Sequence, residues 1–133
     1  MMAGISRYII LLIVGGVAFS SAGCLMKKHR MNTLPTRVEA YNYAFRWKDY
    51  TSASAYVADT EDFLKKVEEL GDNYEVLDYE IVRTSLSADG ASAEVEVVRS
   101  YHIFPSVAMQ RQRIVQQWKY NPQRKNWFLI SPY

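Results

Sequence analysis

Between Gly71 and Tyr74 the spacing of the apolar residues changes, and no other feature constrains the fold as tightly. Before that point they recur at helical intervals. Leu34, Val38, Tyr41 and Phe45 fall four, three and four residues apart, one stripe on a helix of about 3.6 residues per turn. Beyond it they alternate. Leu77, Tyr79 and Ile81 oppose Asp78 and Glu80; Val95, Val97, Tyr101 and Ile103 then oppose Glu94, Glu96, Ser100 and His102, provided no bulge intervenes. Helices first and an antiparallel meander after predict an α+β fold, its helices packed on one face of a curved four-stranded sheet.

Local signals place the elements. Thr33 is the expected N-cap of the first helix, with Pro35 in its first turn, where a missing N–H costs nothing. A short second helix is expected over residues 52–57. Asp59 or Thr60 caps a third, with Phe63, Leu64, Val67 and Leu70 as its apolar face and Gly71 as its terminator. Strands follow over 74–86, 93–104, 110–120 and 127–130. Asp89-Gly90 marks the first hairpin and Asn121-Pro122 a later turn. In the third strand Ile114, Trp118 and Tyr120 oppose Arg111, Arg113, Gln117 and Lys119.

The amino-terminal end follows other rules. Arg7 precedes an apolar run, Tyr8 to Phe19, that closes on Ser20-Ser21-Ala22-Gly23 and then on Cys24, the only cysteine. At ~1.5 Å per residue such a run reaches about 18 Å as a helix, short of the roughly 30 Å hydrocarbon core of a bilayer. It therefore reads as an export signal with small residues at its cleavage site. One cysteine leaves no internal disulfide, and two histidines, His29 and His102, leave no metal-ligand set. A net charge of +2 gives no case for nucleic acid as a partner. No phosphate-cradling glycine loop and no nucleophile–base motif is present, so no cofactor is read.

Ser21-Ala22-Gly23-Cys24 resembles the lipobox of bacterial lipoproteins, with Ser where Leu is commonest. The resemblance implies diacylglycerol on the Cys24 thiol, cleavage before it and acylation of the new amino terminus. It divides the chain into a signal peptide (1–23), a lipidated linker (24–33) and a folded domain (34–133). Leu25, where Asp would favour the inner membrane, implies the periplasmic face of the outer membrane. Lys27-Lys28-His29-Arg30 then reads as a solvated linker that can also lie against an anionic surface.

The folded part resembles the NTF2-like superfamily, which includes SnoaL-like proteins. Phe45 to Ala53, with Asp49-Tyr50 before a small-residue helix, carries the likeness, as do the hairpin Ala88-Asp89-Gly90-Ala91 and the pairing of Trp118-Lys119-Tyr120 with Asn126 to Ile130. It implies a cone-shaped domain. The expected role is a non-enzymatic, membrane-anchored binding or assembly module of the cell envelope, and the alternative is a SnoaL-like isomerase or cyclase. A cone pocket would draw on Tyr41, Phe45, Trp118, His102 and Glu80, with His102 or an acid such as Glu80 serving the enzyme. Expected partners are the membrane, a homodimer mate meeting the sheet through Ile114, Trp118 or Tyr101, an envelope protein, or a small apolar ligand. Asp49 is expected to cap the next turn. Arg83, Arg99, Arg111 and Arg113 are expected to pair with the carboxylates of the solvent faces.

Overall fold

The computed structural model describes residues 28–133; the apolar run, the lipobox and Lys27 lie outside the described residues. Three helices precede four strands: α1 (28–46), α2 (Tyr50–Ser54), α3 (Thr60–Leu70), β1 (Tyr74–Leu86), β2 (Ser92–Ile103), β3 (Gln110–Asn121) and β4 (Asn126–Ser131).

Helix α1 is already formed at residue 28, before the expected cap. Thr33 lies inside it, its hydroxyl donating to the main-chain oxygens of His29 (3.2 Å) and Arg30 (3.1 Å). Tertiary contacts hold this early turn. Trp127 Nε1 donates to the Arg30 carbonyl at 2.9 Å, and the Arg30 guanidinium stacks on Tyr120, 4.4 Å from the ring centroid. Lys28, His29 and Arg30 are thus helical, and Arg30 is packed rather than solvated. The expected stripe of Leu34, Val38, Tyr41 and Phe45 is buried.

Asp49 caps α2 by accepting from the Ser52 N–H at 3.2 Å. The helix stops at Ser54, short of the expected span. Val57 instead forms a parallel bridge with Leu129. Asp59 caps α3, accepting from Asp62 N at 3.1 Å, and Gly71 ends it at φ +77°, where glycine is favoured. Only half of the expected apolar face of α3 is covered. Phe63 and Val67 are buried, whereas Leu64 and Leu70 are exposed.

The strands form one antiparallel sheet in the order β1-β2-β3-β4. Register shifts at Leu77 and Val82 reset the alternation of β1 twice. Tyr74, Val76, Tyr79, Ile81, Thr84 and Leu86 therefore share the row of β2 residues 93, 95, 97, 99 and 101, while Leu77, expected beside Tyr79 and Ile81, stands at the first bulge. β2 itself runs without a bulge. Its partners Trp118, Gln116 and Ile114 continue the buried inner face, and Gln112 extends the same row to an exposed position. Ile114 and Trp118, considered as a homodimer face, are buried inside the molecule.

Two polar side chains sit within this core. Asn42 and Gln116 exchange amide hydrogen bonds (3.3 and 3.0 Å); Asn42 also donates to Val38 O (2.9 Å), and Trp118 Nε1 donates to Gln116 Oε1 (3.2 Å). Because indole nitrogen can only donate, it fixes which end of the Gln116 amide is oxygen.

The sheet edges are treated differently. Ala58 N donates to Leu129 O and Leu129 N to Tyr56 O, each at 2.8 Å, while Arg37 Nε and Nη2 donate to Trp127 O at 3.0 and 2.8 Å; together they close the outer edge of β4. The outer edge of β1 is broken by its two bulges. β4 pairs with β3 only over 117–121, which leaves residues 110–116 of β3 with a strand partner on one side alone among the described residues.

Candidate functional site

Two contacts define one end of the molecule. Lys48 Nζ donates to Asp72 O at 2.9 Å, and Phe104 N to Asn73 O at 3.0 Å. The last turns of α1 and α3 therefore meet the β2–β3 loop there. The start of α1 lies against the β3–β4 hairpin at the other end, about 27 Å away along the helix.

A cavity of about 320 Å³ opens near the first end, between α3 and the uncovered edge of β3. Phe45, Val67, Leu70 and Ile114 give it apolar walls, with Tyr74 and Tyr133 beside them. Gln112 to Val115 line it as four consecutive residues, so it follows the strand's backbone. Its charged residues are Lys66, Arg99 and Arg113.

Arg99 is the unexpected member. It was expected in a solvent-face ion pair, yet it is only 3% exposed. Its position in the row 95, 97, 99, 101 was the signal for this, because alternation assigns it to the inner face. Its guanidinium stacks on Phe45 at 4.1 Å, and Nη1 donates to Tyr133 O at 3.2 Å. Nη2 and the neighbouring Tyr41 hydroxyl find no hydrogen-bond partner among the described residues. Burial raises the Tyr41 phenol above its ordinary pKa, partly opposed by the nearby Arg99 charge. Burial, and then a 2.7 Å hydrogen bond to Asp62, raise Tyr133 likewise.

The expected pocket residues separate into two groups. Tyr41, Phe45 and Trp118 come together in an aromatic cluster with Phe63: Tyr41 lies 6.0 Å from Phe45, 6.1 Å from Phe63 and 5.9 Å from Trp118, centroid to centroid. Of these Phe45 lines the cavity, and the others fill the core. His102 and Glu80 are on the opposite face. His102 pairs with Glu75 there at 3.2 Å and meets the Phe104 ring edge-on, and Glu80, opposite Val98, is exposed. Asp49 is the helix cap described above, held below its ordinary pKa by its hydrogen bonds with Ser52.

No family model matches the chain, and no curated protein matches it in sequence. Among solved structures, a protein of Xanthomonas campestris pv. campestris, named a "putative polyketide cyclase", is similar in outline. It has 13% identity and a TM-score of 0.48, and the match covers 80% of this chain and 93% of that one. A likeness at this level transfers neither activity nor substrate.

Proposed function

We propose that this chain is a lipid-anchored module of the cell envelope that holds a partner rather than transforming a substrate. One observation carries the reading of the folded part. The cavity has apolar walls and the cations Lys66 and Arg99, with Arg113 at its rim reaching the outer face to Glu96, while His102 and Glu80 face away from it. That lining suits recognition of an apolar or acidic group. A SnoaL-like enzyme would instead need an acid or base within reach of bound substrate. The packing of helices on one face of a four-stranded meander supports the NTF2-like resemblance.

The anchor rests on the sequence. The sole cysteine closes the apolar run directly after Ala22-Gly23, and Leu25 favours the periplasmic face of the outer membrane. Several acyl chains, at about 0.8 kcal/mol per buried CH₂, would hold the module on a membrane. Fractionation of wild type and Cys24→Ala tests the assignment. The wild type is expected in the membrane fraction as a detergent-extracted, shortened species, and the variant as an unacylated precursor of higher mass. Identical processing and release of the two would reject it.

A further inference from the structure

We propose that the open edge of β3 over residues 110–116, with the cavity beside it, is a strand-addition site for an extended segment of a partner protein in which acidic and apolar residues alternate. The proposal rests on reading the domain as a binding module, and it names the chemistry of what is bound.

Three observations converge on this edge. Residues 110–116 pair with β2 on one side and have no strand on the other among the described residues, so a row of main-chain donors and acceptors remains for an incoming strand. The cavity lies along the same backbone, lined by Gln112 to Val115. A strand laid about 4.8 Å from β3 would turn alternate side chains toward Val67, Leu70 and Ile114. The intervening side chains would stand level with Arg111 and Arg113, both exposed on the outer face. The neighbouring strand already displays the matching pattern, because Glu96 of β2 accepts from Arg113 Nε at 2.6 Å. The loop leading into the edge extends the apolar contact, with Val107 78% and Met109 63% exposed.

A second copy adding through its own β3 would bring Arg111 and Arg113 of both strands together on one face. Such like charges disfavour the pairing, and the other edges offer no alternative. β4 is closed by residues 56–58 and Arg37, and the bulges of β1 interrupt the regular ladder that an incoming strand requires. The site also lies at the end away from the start of α1, so in an anchored module it would face partners rather than the bilayer.

The test is amide hydrogen exchange on the full membrane-extracted protein in detergent, with a short acetylated peptide of alternating Glu and Val as probe. Amides within 110–116 should slow by at least about tenfold at saturating peptide. A Lys/Val peptide should bind about tenfold more weakly, and a Glu/Val peptide with proline at its centre should give no protection. Leu70→Trp fills the cavity from an exposed position and should abolish the effect; Arg111→Glu should reverse the preference between the two charged peptides. Unchanged exchange in 110–116, equal protection by the proline peptide, or protection that grows with protein concentration alone would each overturn the proposal, the last by making a second copy the occupant. Cys24 found acylated while the peptides fail would leave the anchored-module reading standing, whereas protection without acylation would do the reverse.

Discussion

Gln116 illustrates how much a single side chain can specify. It is fully buried, yet its amide satisfies Asn42 and receives the indole N–H of Trp118. Truncating one member strands the others in an apolar core, where an unsatisfied polar group costs roughly 1–3 kcal/mol. Gln116→Leu is therefore expected to lower stability by about 2–3 kcal/mol in urea unfolding. Asn42→Leu added to it should recover part of that loss, and strictly additive losses would contradict the network. Three phenols make a second statement at this scale. Burial acts on Tyr41, Tyr79 and Tyr133, and the last two also donate to the carboxylates of Glu39 and Asp62, so all three keep their protons above the usual range. Unfolded tyrosines ionise near pH ~10. Their contribution is thus fully present below that pH and is lost as pH rises beyond it, because the unfolded chain releases protons the folded one retains. Urea midpoints should stay level up to about pH 9.5 and fall above pH ~10, less steeply in Tyr133→Phe. An unchanged slope in that variant would contradict the assignment.

Among the elements, those set by neighbouring residues were legible and those set by distant ones were not. Asp59 as a cap, Gly71 as a terminator and Asp89-Gly90 as a turn act within a few bonds, and the structure has all three: Asp89 accepts from Ala91 N at 3.0 Å, with Gly90 at φ +69°. Asp59→Ala is expected to cost about 1 kcal/mol by loss of the bond to Asp62 N. Gly71→Ala should cost a similar ~1 kcal/mol through its positive φ alone, since nothing lies within 4 Å of an added Cβ. Thermal unfolding reads both, and a neutral Gly71→Ala would contradict the conformational account. The bulges at Leu77 and Val82 have no comparable local mark, so the faces of β1 were only partly readable. The start of α1 was misplaced because Trp127 and Tyr120, far along the chain, hold a turn that Thr33 and Pro35 alone would have closed off.

At the scale of the whole molecule, helices and sheet followed from the change of period. The cavity did not, because it arises where β4 stops short of the length of β3 and leaves a gap against α3. Its position gives the molecule a polarity. The first described turn of α1 is at one end, and the cavity, Leu70, Phe104 and the exposed β2–β3 loop are toward the other. Four chain steps lead from Cys24 to residue 28, a reach of at most about 14 Å, so an acyl anchor there would keep the first end at the bilayer and turn the second toward the envelope space. Among the described residues no helix is long and apolar enough to cross a membrane; the attachment proposed above is through an acylated Cys24. Intact mass spectrometry of the membrane-extracted protein tests this most directly. The account predicts a species of residues 24–133 carrying acyl chains on Cys24; an unmodified chain, or one beginning at another residue, would contradict it.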